Sequence, residues 1–168
     1  MLVRPEKTDD YDGVRRVNVE AFDGTEEATI VDELRKSVSR LLSLVAVSER
    51  GEIVGHILFS PVTIESDPRL EAMGLGPMAV APEVQRRGIG TALVEAGLEQ
   101  CRTLGVSAVV VLGHPEYYPR FGFVPASRFG LKCEFDVPDE VFMATELSAD
   151  ALQPYSGLVR YHRLFGAS

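Results

Sequence analysis

Met78-Ala79-Val80-Ala81-Pro82-Glu83-Val84-Gln85-Arg86-Arg87-Gly88-Ile89-Gly90-Thr91-Ala92 is the stretch on which the fold turns. An apolar run ends at Pro82, a polar segment follows with two arginines and two glycines, and an apolar-striped segment starts at Ile89. Proline withholds a backbone donor and stops a strand, so the next residues read as a turn opening straight into a helix. The first amides of a helix have no partner inside it, and the helix dipole adds positive potential at that end. Gly88 and Gly90 carry no side chain to obstruct a bulky anion, and Arg86 and Arg87 bring positive charge. The pattern predicts a strand–turn–helix unit that holds an anion such as a pyrophosphate.

Two better-known phosphate loops do not fit. A Walker loop requires Gly-Lys-Ser/Thr, which the chain lacks. A Rossmann fingerprint needs three glycines early in a βαβ unit, whereas this loop lies mid-chain with two.

Downstream, Ile89–Leu104 carries two apolar stripes and a narrow polar edge, as expected of a helix lying against a sheet. Gly105 is its stop. Ala108–Leu112 is wholly apolar and rich in β-branched residues, so it reads as a strand covered on both faces. A short helix over Glu116–Phe121 and strands near Leu131–Phe135 and Val141–Leu147 are expected next, and the tail 148–168 is expected to add an edge strand over Gly157–His162.

Upstream, Ala72–Val80 completes the strand that enters the loop. Leu2–Glu6 reads as a strand, Thr8–Phe22 and Glu26–Val38 as helices, and Ser43–Ser48 and Ile53–Phe59 as a hairpin around Glu49-Arg50-Gly51-Glu52. Thr8 or Asp9 is the expected cap of the first helix. Pro61 calls for a bulge or bend before Val62–Glu65 continues the second hairpin strand. No linker or repeat divides the chain, so residues 1–168 read as one domain.

The chain has 168 residues, a net charge of −8, 45% hydrophobic and 25% charged residues. An acidic chain does not present the basic field that nucleic acid or an anionic membrane needs, and it favours cationic partners. No apolar run approaches the roughly 18 residues of a membrane span. Cys101 and Cys133 make neither a disulfide framework nor a metal-ligand spacing, and no metal is expected. Reduced thiols point to the cytoplasm.

Gln85-Arg86-Arg87-Gly88-Ile89-Gly90 resembles the Gln/Arg-x-x-Gly-x-Gly/Ala motif of the GNAT superfamily of N-acetyltransferases, and Tyr118-Pro119-Arg120-Phe121-Gly122-Phe123 resembles that family's Tyr-x-x-x-Gly-Phe segment. The motifs stand in the family's order with a helix and a strand between them. Residues 55–60 and Gly157–Tyr161 are similar to a YhbS-like branch. The resemblance implies a single-domain α/β (α+β) fold: a mixed central sheet, splayed at its fourth and fifth strands where acetyl-CoA inserts, with helices on both faces. It implies that Met78, Ala79 and Val80 meet the pantetheine arm, that Gln85, Arg86, Arg87, Gly88, Ile89, Gly90 and Thr91 hold the pyrophosphate, and that Tyr118 stands near the cofactor sulfur. It also allows a homodimer.

Acetyl transfer to an amine has three needs. The amine, with a pKa of about 10, must be neutral; the oxyanion needs donors; and the leaving thiolate benefits from a proton. Amides on the splayed strand around Met78–Val80 suit the second need, and the Tyr118 phenol suits the third, with Tyr117 as its neighbour and rival. Glu71 is the candidate base, acting directly or through water. His114 is titratable near neutrality but has no family counterpart, and His56 reads as a hydrogen-bonded core histidine. The acceptor, an amine of a small molecule or peptide, is expected near Phe22–Glu27 and the segment after Phe123. A non-catalytic acyl-CoA sensor or interaction module on the same fold is the alternative.

Overall fold

Helical and extended periodicities settle the element order, and tertiary partners settle the ends. In the computed structural model, which describes residues 1–152 and 157–166, with Pro68 by its backbone alone, the chain divides into two compact units. The first comprises Met1–Phe59 with Gly76–Gly97, and the second Ser60–Leu75 with Leu98–Ser168.

In the first unit, β1 (Leu2–Pro5) pairs antiparallel with β2 (Leu42–Val47), and β2 pairs antiparallel with the start of β3 (Ile53–Ile64). The register slips between Ala46 and Val47, so the bulge lies there. Strand β3 continues through Pro61 as one element. Its register with β2 ends at Phe59 and that with β9 begins at Thr63, so on this edge no ladder bond is asked of the missing proline N–H. Helices α1 (Tyr11–Phe22) and α2 (Glu26–Ser37) bury Val14, Val17, Ala28, Val31 and Leu34.

The cap ahead of α1 differs from expectation. Thr8–Asp10 forms a 3-10 turn, and the Asp10 carboxylate takes the Lys7 amide at 2.7 Å and the Arg4 guanidinium at 2.7 and 3.1 Å. The Arg4 hydrogen bond holds the Asp10 pKa below the usual carboxylate range. His56 is fully buried, as the sequence led us to expect. Asn18 Nδ2 donates to its Nδ1 at 3.1 Å and to the Val14 carbonyl at 2.9 Å, so Nε2 carries the proton and donates to Ser43 Oγ at 2.8 Å.

In the second unit, the part of β4 (Asp67–Val80) that ends at Leu75 pairs parallel with β5 (Ala108–Leu112) from Ala72↔Ala108 to Leu75↔Val111. β5 pairs antiparallel with β8 (Phe142–Glu146), and β8 with β6 (Val124–Pro125), a two-residue strand with no sequence signal. The parallel β4–β5 pair among antiparallel neighbours makes the sheet mixed, as expected. β9 (Gly157–Arg160) forms, but between β3 and β7 (Leu131–Cys133) rather than at an edge. Residues 153–156 and 167–168 of the expected tail lie outside the described residues. Val62, Ile64, Ala72, Val110, Leu131 and Phe142 belong to this unit's core. Cys101 is buried and Cys133 partly so, and both thiols are free.

Candidate functional site

β4 continues for five residues, Gly76–Val80, past the last parallel rung at Leu75↔Val111. The backbone around Met78, Ala79 and Val80 therefore has no β5 register among the described residues. The Ala81 amide donates to the Val54 carbonyl at 2.9 Å and fixes the strand's exit within the first unit.

From that exit the loop is built by local bonds. Pro82–Val84 makes one 3-10 turn, with the Val84 amide on the Ala81 carbonyl at 3.0 Å. Gln85 Nε2 donates back to the Val80 carbonyl at 3.1 Å. Arg86 and Gly88 both adopt positive φ, 64° and 84°. For arginine this conformation carries strain, because its Cβ crowds the following carbonyl. Two left-handed residues in three reverse the chain sharply, after which α3 (Ile89–Thr103) starts. The first amide to bond back along the helix is that of Ala92, on the Gly88 carbonyl at 3.0 Å. Those of Ile89 and Gly90 precede the ladder and have no acceptor inside the helix.

The helix is seated by close packing. A Cβ on Gly55 would stand 3.0 Å from both Ile89 Cγ2 and Leu93 Cδ1, so glycine lets α3 lie directly on β3. Arg86, Arg87 and Gly88 are exposed, Ile89 is buried, and Gly90 and Thr91 lie between. A Cβ on Gly88 would meet nothing within 4 Å, so the space in front of the turn is open. Neither Arg86 nor Arg87 has an ion pair among the described residues. An open turn with amides ahead of a helix and two uncommitted guanidiniums suits a diphosphate.

In the second unit, Tyr118 begins the 3-10 turn Tyr118–Phe121 and is only 7% exposed. Its ring fills the place a side chain on Gly113 would take, and it is edge-on to Tyr117 at 5.1 Å and to Phe123 at 5.7 Å. Gly122 ends the turn in the left-handed conformation, φ 92°, which explains the glycine in the Tyr-x-x-x-Gly-Phe segment. Burial, with the Tyr117 phenol beside it, pushes the Tyr118 pKa up to about 12. The group is therefore a neutral O–H at physiological pH, and no protein partner binds its hydroxyl among the described residues. Tyr117, the rival, is partly exposed and accepts Arg120 Nε on its carbonyl at 2.9 Å.

Glu71 is not brought to Tyr118. The Ser107 amide donates to the Glu71 carbonyl at 2.7 Å, so Glu71 stands level with the start of β5. Gly113, under the Tyr118 ring, lies six residues further along, roughly 20 Å at strand rise. The two residues occupy opposite ends of the same ladder. His114 is exposed, and its carbonyl receives the Tyr117 amide at 3.1 Å. Phe22 and Asp23 close α1, Asp23 being left-handed at φ 52°, and both are exposed. Among the described residues no cluster of His, Cys, Asp and Glu could hold a metal, and no helix is long and apolar enough to cross a membrane.

Comparison with known proteins agrees with this geometry. A model of the acetyltransferase (GNAT) domain matches residues 2–126. The uncharacterized N-acetyltransferase YhbS of Escherichia coli K12 is 35% identical over 165 residues, covering 98% of both chains. A crystal structure of Escherichia coli YhbS in complex with CoA superposes with a TM-score of 0.93 at 34% identity, over 98% of this chain and 91% of that one. A GNAT family acetyltransferase from Brucella melitensis in complex with acetyl-CoA gives a TM-score of 0.81 at 36% identity, over 98% and 97%. With the loop, the tyrosine segment and the end-to-end likeness in agreement, the chain belongs to the GNAT acetyltransferase family.

Proposed function

We propose that the protein transfers an acetyl group from acetyl-CoA to the primary amine of a small molecule or peptide, by direct attack of the amine in a ternary complex. The observation that carries this reading is the turn at Arg86–Gly88, whose two positive φ angles set the amides of Ile89 and Gly90 ahead of the α3 ladder. In this reading Gln85, Arg86, Arg87, Gly88, Ile89, Gly90 and Thr91 hold the pyrophosphate, and Met78, Ala79 and Val80 offer backbone groups to the pantetheine arm. Support comes from the solved relatives, one with CoA and one with acetyl-CoA.

Tyr118 is the proton donor to the departing thiolate. Its burial keeps the phenol protonated, so a proton is in hand whenever a thiolate forms. Glu71 is the base of this reading, taking the amine proton directly or through water. The whole of 1–168 serves as one catalytic domain, in the cytoplasm, and acts as a monomer or homodimer.

Calorimetric titration with acetyl-CoA and with ATP tests the loop. Binding of acetyl-CoA alone is expected, lost in Gly88→Trp, whose indole would occupy the open space before the turn. Equal affinity in the variant would remove the loop assignment. Thiol release across polyamines, amino acids, aminoglycosides and N-terminal peptides then separates an enzyme from an acyl-CoA sensor, which would bind without turnover.

A further inference from the structure

The chain leaves β5 through Gly113, and the β5–β8 pairing continues with it. The Gly113 amide donates to the Val141 carbonyl at 3.0 Å, one residue past the Leu112↔Phe142 rung. Gly113 is not among the residues of positive φ, so its backbone conformation does not call for glycine. The Tyr118 ring does. A Cβ at 113 would stand 2.3 Å from Tyr118 Cε2, 2.8 Å from Cδ2 and 3.3 Å from Cζ. Carbon atoms in contact sit about 3.5–4.0 Å apart, so the edge of the ring rests against bare main chain. That edge runs up to Cζ, the carbon that carries the hydroxyl.

Neither side yields easily. Gly113 is tied to Val141, and a phenol ring is rigid where an alkyl chain could give at its far end. Tyr117 and Phe123 stand edge-on to the ring at 5.1 and 5.7 Å, and Phe121 lies tilted at 6.3 Å. The Tyr118 amide on the His114 carbonyl at 3.4 Å and the Gly122 amide on the Pro119 carbonyl at 3.0 Å hold the 3-10 turn. With the main chain fixed at both residues, a group added at 113 is accommodated by turning the ring about its side-chain bonds. The hydroxyl, at the tip, swings furthest.

We infer that Gly113 is a positioning residue for acetyl transfer: the missing side chain at the end of β5 sets where the Tyr118 hydroxyl stands. The inference rests on the acetyl-transfer reading above, in which that hydroxyl protonates the departing thiolate, and deepens it by naming what holds the acid in place. A proton passes between heavy atoms about 2.6–3.2 Å apart, and a misplacement of about 1 Å can cost about 10²-fold in rate. Cofactor affinity is separate, since the 85–91 turn and the Met78–Val80 backbone supply it in that reading.

The test measures thiol release from acetyl-CoA by the full chain, with the fastest acceptor of the polyamine, amino-acid, aminoglycoside and peptide panel. Gly113→Ala is made in the wild type and in Tyr118→Phe, which closes a double-mutant cycle. In the wild type it should lower kcat about ten-fold or more, with the acetyl-CoA dissociation constant changed by less than about two-fold. In Tyr118→Phe it should lower kcat by less than about two-fold further. The phenylalanine ring meets the added methyl just as the tyrosine ring does, so the packing damage and the fall in Tm are shared and only the hydroxyl differs. Phe123→Leu loosens the other side of the ring without an overlap, and decides the question if Gly113→Ala yields no folded chain. A kcat loss of a few-fold, again confined to chains that keep the Tyr118 hydroxyl, is expected there. Wild-type kcat in the deciding variant overturns the inference, as does a kcat loss of equal size in the Tyr118→Phe background. If Tyr118→Phe itself keeps the wild-type kcat, the acid role falls and the positioning with it. A chain that binds acetyl-CoA and acetylates no amine of the panel takes down the acetyl-transfer reading first.

Discussion

The edge of the Phe59 ring occupies the position that a side chain on Gly97 would need, so α3 crosses β3 with an aromatic ring fitted against bare helix backbone. Phe59 is fully buried and has nowhere to swing. Gly97→Ala gains helix propensity of about 1 kcal/mol but forces overlap with the ring, at about 1–3 kcal/mol. We expect a net lowering of Tm by a few degrees, read by calorimetry. Phe59→Leu in the same chain should recover part of the loss, because a smaller side chain relieves the overlap. A Tm that rises in Gly97→Ala would refute the fit.

Gln85 serves the loop rather than the core. Its side-chain amide bridges to the Val80 carbonyl while the residue itself is exposed. Gln85→Ala should weaken acetyl-CoA binding about five-fold, the worth of roughly one hydrogen bond. Tm should hold within a degree. A fall in Tm with unchanged affinity would make the bridge structural only.

Tyr118→Phe should reduce kcat by about 10²-fold, the lower end of what a placed acid supplies. The acetyl-CoA dissociation constant should change less than two-fold. A phenol titrating at about 12 also means that kcat does not fall on the acid's account up to the ordinary tyrosine value of about 10. The stability consequence has a definite sign. The folded pKa lies above the unfolded one, so Tyr118 contributes fully below pH 10 and its contribution is lost as pH rises toward about 12. Steeper alkaline unfolding in the wild type than in Tyr118→Phe would show it.

His56 acts at the acid end. Burial, with Arg35 nearby, lowers its pKa from 6.5 to about 3. The unfolded state takes up a proton that the folded state refuses, so stability is complete above pH 6.5 and declines toward about pH 3. The slope is at most about 1.4 kcal/mol per pH unit from this one group. Chemical denaturation across that range should show a shallower decline in His56→Gln. Equal slopes would place the acid sensitivity elsewhere, with Asp10 and its Arg4 bond the next to examine, since a depressed carboxylate also loses its contribution as pH falls.

Much of this was legible without coordinates, for a physical reason that differs by element. Helix α3 declares itself through apolar stripes and Gly105, and β5 through five apolar residues in a row. The turn at Arg86–Gly88 is legible because its constraint is on the backbone, and glycine records backbone constraints directly. What escaped depends on partners distant in sequence. β6 is two residues long and exists only because β8 lies beside it. That Glu71 stands level with the start of β5, at the other end of the ladder from Tyr118, follows only from the parallel register. Tyr161 ends the Gly157–Tyr161 stretch that resembles the YhbS-like branch, but nothing in its neighbours' letters says that its hydroxyl goes unbonded. Asp10 was passed over for Thr8 and Asp9 because its role needs Arg4 folded back from β1.

The two thiols offer a practical handle. Cys101 is sealed in, and its pKa is pushed up to about 12, so an alkylating dye meets almost no thiolate there at neutral pH. Cys133 is also raised but is partly accessible, and it adjoins Glu134, whose carboxylate holds the Tyr161 main chain. A maleimide fluorophore applied to the wild-type chain under mildly alkaline conditions should therefore attach at one position, giving an emission reporter beside Tyr161 without any engineered cysteine.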